Sequence, residues 1–242
     1  MHLLPADVAV ISPHLDDAVL SLGASIARSV RSGQRGIAVV TVFAGDPDSR
    51  RPAGGWDRRG GFATEGEAAT ARRREDRNAC RLVGAEAFWL PFSEADYRET
   101  LDGDAVWSAL SDAIEPAGSV LVPGFPLTNP DHAWLLELFV RRADPGLRIG
   151  LYAEQPYRYT ARKECPRPQV PDHLSRTPRE SSDWIELGAR PRGVWTKRRA
   201  VLAYRSQMPL LGFSQRRSRK LNGMLVHEAL HGGEAIVWLR GP

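Results

Sequence analysis

Residues 8–23 read VAVISPHLDDAVLSLG, and the turn at their centre decides how the chain folds. VAVIS (8–12) is a continuous apolar run, the pattern of a strand buried on both faces. Beyond it Val19, Leu20, Ile26 and Val30 fall along one side of a predicted helix over 16–31. Between strand and helix stand His14, Asp16 and Asp17. One capping side chain is enough to start a helix, and neighbouring carboxylates repel each other. Three polar groups at a single junction therefore ask for a cation.

The same alternation continues outward from this unit. GIAVVTVFAG (36–45) is the next buried strand, followed by a helix at about 65–82, the strand AFWLPF and a helix near 103–114. The strand SVLVPG, a helix from His132 to Arg141 and the strand RIGLYAE come next. This βαβα order predicts an α/β fold, a Rossmann-like, mostly parallel sheet with helices on both faces. Two long segments, 45–64 and 155–181, follow strands and are rich in proline and polar residues. They are expected as lids over the carboxyl edge of the sheet, where open α/β sheets bind ligands. VWTKRRAVLAYRSQM (194–208) and RRSRKLNGMLVHEAL (216–230) read as two closing helices before the apolar AIVWL. No repeat or composition break divides the chain, so residues 1–242 are expected to form a single domain.

Composition excludes several classes of protein. With 42% hydrophobic and 26% charged residues the chain reads as soluble and globular. It has no apolar run of transmembrane length and no leader-like start, so a cytoplasmic protein without a membrane partner is expected. The net charge of +4 comes from 30 Arg and three Lys against 29 acidic residues. No recognition-helix or base-stacking motif accompanies the arginines at 72–74 and 216–219, and no nucleic-acid partner is expected. Cys80 and Cys165, far apart, are expected to be reduced thiols. Nothing in the sequence sets an oligomeric state.

His14 and Asp17 are three residues apart at a helix start, a spacing that turns an imidazole and a carboxylate toward one point. A zinc site built for hydrolysis takes three such ligands and leaves a fourth position for water. The third candidate lies in VLVPGFPLTNPDHAWLLELF, another strand running into a helix, with Asp131 and His132 at the junction. In a parallel sheet both junctions lie at one edge, so His14, Asp17 and His132 are expected to converge. Asp16 is then free to take a proton from water and return it to a leaving group. Either junction alone reads equally well as a turn with a capping Asp.

SPHLDD together with NPDH resembles the paired signature of the LmbE-like, or PIG-L, zinc-dependent N-deacetylases, usually H-P-D-D and H-P-D-H. ARRREDRNACRLVGA, LYAEQPY and KRRAVLAYRSQ are similar to further family segments, and the likeness is good over residues 8–155. The resemblance implies a divalent metal, usually zinc with iron(II) as an alternative, held by His14, Asp17 and His132. It implies Asp16 as general base and then acid, and Arg72 as a substrate contact. Three positions depart from the pattern: Leu15 replaces a proline, Ala18 a frequent Glu, and Asn129 the first His of H-P-D-H. Asn129 can still donate a hydrogen bond to an oxyanion, and Asp131 is expected to orient a ligand histidine or Asp16. The implied reaction removes an N-acyl group, usually acetyl, from an amino sugar or a similar small conjugate. The arginine-rich loops leave an anionic substrate, such as a nucleotide sugar, open beside a secondary-metabolite intermediate or a thiol precursor.

Two alternatives compete with that reading. HEALH (227–231) matches the H-E-x-x-H metallopeptidase motif, but a double glycine follows at once and no third histidine lies downstream. His227 and His231 read instead as an ordinary helix end, where imidazoles meet the negative pole of the helix dipole. A Rossmann-like nucleotide-binding module is the other, against which no G-x-G-x-x-G follows the first strand. His173, within the second long loop, is a substrate contact if that loop is a lid and a surface residue otherwise.

Overall fold

The computed structural model describes residues 2–162, 168, 183–213 and 218–239. The chain runs β1 (Val8–Ser12), α1 (Asp17–Arg31), β2 (Ile37–Thr41), α2 (Gly55–Arg59), α3 (Glu65–Val83), β3 (Glu86–Trp89), α4 (Gly103–Ile114), β4 (Ser119–Phe125) and α5 (Pro130–Arg142). It continues with β5 (Ile149–Ala153), α6 (Tyr157–Ala161), β6 (Ile185–Glu186), α7 (Pro191–Val201), α8 (Arg219–Leu230) and β7 (Ala235–Trp238). The seven strands form one sheet in the order β3-β2-β1-β4-β5-β7-β6. The first five are mutually parallel, and β7 runs antiparallel to both β5 and β6. The mostly parallel α/β sheet read from the alternating pattern is therefore present.

Side-chain alternation along the strands builds two cores. Val8 and Val10 point to the side where Leu20, Cys80, Val201 and Met224 gather from α1, α3, α7 and α8. Ala9 and Ile11 point the other way, to Val106 and Leu110 of α4 and Leu135 and Phe139 of α5. The strand order reverses between β1 and β4, whose register pairs Val8 with Ser119 and Val10 with Leu121. Both strands therefore deliver their carboxyl ends to one crevice, the usual ligand position in open α/β sheets.

Some element boundaries differ from the sequence pattern. The helix α5 starts at Pro130, not at His132, because Asn129 caps it by accepting the Asp131 N–H at 2.9 Å. Asp131 and His132 thus sit in the first helical turn. The helix expected over 194–208 ends at Val201. Beyond it tertiary contacts take over: the Tyr204 hydroxyl donates to buried Asp76 at 2.7 Å, and Ser206 donates to Glu75 from its hydroxyl and its backbone N–H. The segment 45–64 contains the short helix α2, whose Asp57 is buried. Most of the second long loop, with His173 and Cys165, lies outside the described residues. Cys80 is a free, buried thiol. No helix among the described residues is long and apolar enough to cross a membrane.

A buried ion cluster ties the C-terminal part to the sheet. Lys197 of α7 is fully buried and sits 2.8 Å from both Glu228 and Glu234. The Glu234 carboxylate also accepts the backbone N–H groups of Ala24 and Ser25 in α1, at 2.9 and 2.6 Å. Gln155, just past β5, donates to Glu228 at 3.1 Å. Burial pushes Glu228 up to about 6 while Lys197 pulls it down, so its charge depends on that cation. Lys197→Met leaves two buried carboxylates without their partner and is expected to lower stability by about 3–5 kcal/mol, measured by urea unfolding.

Candidate metal centre and active site

The turn after β1 explains the crowding of polar groups there. Asp16 occupies the N-cap position of α1, yet its carboxylate makes no capping bond. Ser12 does that work: its hydroxyl accepts the Ala18 N–H at 3.0 Å and donates to the His14 carbonyl at 2.6 Å. Asp17 in turn accepts the His14 backbone N–H at 2.9 Å. With the helix start satisfied by Ser12, the side chains of His14, Asp16 and Asp17 are left to face the crevice.

His14, Asp17 and His132 offer three donor atoms to one point. His14 Nδ1 lies 3.3 Å from Asp17 Oδ2, His132 Nε2 lies 3.2 Å from the same oxygen, and the two ring nitrogens are 3.2 Å apart. The far side of each ring assigns its proton. His14 Nε2 faces Asp131 at 3.1 Å, and His132 Nδ1 faces Glu154. Carboxylates accept, so those nitrogens donate and the inner nitrogens carry lone pairs. With both rings neutral, the form a bound cation requires, three electron pairs converge without a hydrogen between them. A tetrahedral metal with bonds of about 2.0–2.1 Å spaces its donors about 3.3 Å apart, so the triangle fits a divalent cation.

The electrostatics agree with this geometry. Burial works against protonating His14, but Asp131 and Asp17 outweigh it and raise its pKa to about 10. Around His132, Asp17 and Glu154 likewise overcome burial and lift it to about 9. Burial would raise Asp17, but the two imidazoles hold its carboxyl far below the usual range. The spot is a trap for positive charge. Asp131 continues the chain of contacts, its second oxygen accepting from Arg98 at 2.5 Å.

Beside the triangle opens a cavity of about 230 Å³, lined by Asp16, Arg72, Glu94, Asn129 and Tyr157 among others. Asp16 has no hydrogen bond to its carboxylate among the described residues. Burial and the adjacent Asp17 push its pKa well up, against the pull of Arg72 and His14. Arg72 is buried and lines the cavity, but it is not free. Its Nη1 lies 2.6 Å from Glu94 and 3.3 Å from Asp57. Trp56 of α2 donates from its indole to Gln207 at 2.7 Å, so segment 45–64 and the turn after α7 together form one wall.

All seven residues singled out in the sequence therefore meet at one crevice. Sequence reasoning did not assign Ser12, Glu94, Arg98, Glu154 or Tyr157. Glu154 carried a usable signal, since it ends an apolar strand at the same sheet edge as His14 and His132. Glu94 and Arg98 come from an irregular stretch without periodicity. The HEALH segment forms no metal site among the described residues. Its Glu228 points into the Lys197 cluster, and its histidines stack on each other 4.0 Å apart.

A reversed-order parallel sheet with this donor triangle at its switch point is an arrangement suited to metal-assisted hydrolysis. The comparisons narrow it. The pattern of the PIG-L family, GlcNAc-PI de-N-acetylase, matches residues 9–143, more than half of the chain, and the protein belongs to that family. Among solved structures it is similar to Dbv21, the deacetylase of the antimicrobial A40926 pseudoaglycone, at 27% identity, with 99% of each chain covered and a TM-score of 0.75. A deacetylase of the teicoplanin biosynthesis pathway is 25% identical over 96% of each chain, with a TM-score of 0.72. The N,N′-diacetylchitobiose deacetylase of Pyrococcus horikoshii shares the fold at 16% identity, covering 95% of this chain and 82% of its own, with a TM-score of 0.58. No curated protein sequence matches the chain.

Elemental analysis tests the donor triangle. Purified protein is expected to carry one divalent metal per chain, lost in His14→Ala and in His132→Ala and kept in His231→Ala. Loss in His231→Ala alone would return the metallopeptidase motif to contention.

Proposed function

We propose that the protein is a zinc-dependent N-deacetylase that hydrolyses the N-acetyl amide of an amino sugar. The observation that carries this reading is the unbonded Asp16 carboxylate beside three converging electron pairs on His14, Asp17 and His132. Zinc held there supplies a Lewis acid for the amide carbonyl and makes water acidic enough to react near neutral pH. Asp16 takes a proton from the attacking water onto its carboxylate. The C–N bond breaks as Asp16 hands that proton to the departing nitrogen, so an amine and a carboxylic acid leave. Asp131 and Glu154 fix the tautomers of His14 and His132, which keeps both inner lone pairs in place.

The cavity also supports a substrate class. Its volume of about 230 Å³ suits one sugar ring with a short acyl group. Arg72 is already answered by Glu94 and Asp57, and Asp96 adds a further carboxylate to the lining. Such a wall reads neutral hydroxyls and repels phosphates. The preferred substrate is therefore a neutral N-acetylamino sugar, not a nucleotide sugar. The A40926 pseudoaglycone deacetylase and the teicoplanin-pathway deacetylase named above support a deacetylase reading of this cavity.

Two measurements test this reading. Asp16→Asn is expected to keep its metal and lose turnover of N-acetylglucosaminides by roughly 10²–10⁴-fold, followed by amine release. Retained turnover would remove Asp16 from its role. Glu94→Gln is expected to improve the ratio of kcat/KM for a sugar phosphate over its neutral counterpart; an unchanged ratio would refute the charge selection.

A further inference from the structure

The two histidines of the donor triangle are backed by carboxylates in unequal settings. Behind His132, Glu154 takes its other hydrogen bond from the backbone N–H of Leu127 at 3.1 Å. Behind His14, Asp131 is shared with a cation. Its Oδ2 faces His14 Nε2 at 3.1 Å, and its Oδ1 accepts from Arg98 Nη2 at 2.5 Å. The last torsion of an aspartate is broad, so a single bond to an imidazole leaves the carboxylate free to swing. A charge-assisted bond on the other oxygen fixes its plane.

Arg98 reaches His14 by a second route. Its guanidinium lies over the ring of Phe43, 4.5 Å from the centroid. Phe43 is fully buried and packs against the His14 ring, with centroids 5.9 Å apart. The other arm of the guanidinium, Nη1, donates to the Ser93 carbonyl at 2.5 Å and holds the fork in place. Arg72, the other arginine at the cavity, pairs with Glu94 and Asp57, neither of them bonded to a histidine of the triangle among the described residues. Arg98 is thus singled out by two printed lines of contact to one ligand histidine, through Asp131 at its edge and through Phe43 at its ring.

Resting on the deacetylase reading, we propose that Arg98 is a positioning residue that acts through Asp131 to aim the His14 imidazole at the metal. Without it Asp131 swings, and the inner lone pair of His14 strays from the point it shares with Asp17 and His132. The carboxylate behind His132 relies on no such cation, so that ring keeps its aim. A misdirected donor costs turnover more than substrate affinity, because the sugar is held by the cavity wall.

The test uses full-length, zinc-loaded protein with its metal content measured in every variant. Arg98→Met keeps an aliphatic chain over Phe43 and is expected to lower kcat by roughly 10–100-fold, with KM within about threefold of wild type. Arg98→Gln replaces it if it melts well below wild type. Added to Asp131→Asn, the same change should cost no more than about twofold further, since Arg98 acts through that carboxylate. NMR of the histidine ring nitrogens gives a readout apart from turnover. In Arg98→Met the His14 resonances are expected to move while those of His132, identified by Glu154→Gln, stay. The proposal is overturned if kcat stays within about threefold of wild type, or if the losses from Arg98→Met and Asp131→Asn multiply. It is overturned equally if both rings shift, or neither. Wild-type protein that releases no amine from any N-acetylamino sugar would instead bring down the deacetylase reading, while the ring resonances would still decide whether Arg98 aims His14.

Discussion

The pairing of β1 with β4 is the constraint from which the site follows. These two strands are far apart in sequence, and between them the order of the sheet reverses. Parallel neighbours present their carboxyl ends at one edge, and at a reversal the following helices diverge and leave a crevice. His14 and Asp17 arrive from one strand end, Asn129, Asp131 and His132 from the other, and Glu154 from β5 next to it. A metal-type triangle assembled this way needs no local ligand motif. It needs parallel pairing and short turns.

Buried charge elsewhere in the molecule shows the same economy applied to structure. Lys197, Glu228 and Glu234 are all buried, and each charge is answered by an opposite charge or by backbone N–H groups. This cluster absorbs the glutamate of HEALH. In a metallopeptidase that residue would have to face water and a metal. Here it faces an ammonium group, and its carboxylate also accepts from Gln155, one residue after Glu154. The C-terminal helices thereby brace the end of β5, whose following Glu154 bonds His132.

Much of this was legible in the sequence, for identifiable reasons. Continuous β-branched runs marked β1, β2 and β4, because strands buried on both faces have no polar side to alternate with. Polar residues directly after those runs marked the site, because a strand-to-helix turn needs only one cap. The pair SPHLDD and NPDH was enough to identify the family. Less visible was which residue does the capping: Ser12, read as the tail of a strand, frees Asp16. The chain between 92 and 98 carried no periodic signal, so Glu94 and Arg98 appeared only once the fold brought them to the cavity wall. The helix expected to reach residue 208 stops at Val201, because Tyr204 and Ser206 gain more from Asp76 and Glu75 on α3 than from another helical turn.

By itself the sequence determined the alternating α/β order and the family, and it pointed to His14, Asp17 and His132 as candidate donors, since each follows from the local pattern at one of two strand-to-helix junctions. Tertiary structure decided what those donors face. It placed Asp131 and Glu154 against the outer nitrogens of the two rings, neutralised Arg72 with Glu94 and Asp57, turned Asn129 into a helix cap, and buried Glu228 against Lys197. These outcomes depend on which charges and hydrogen-bond partners meet across long stretches of chain. Such meetings are governed by packing geometry and by the cost of leaving a buried polar group unpaired, and no local pattern records them.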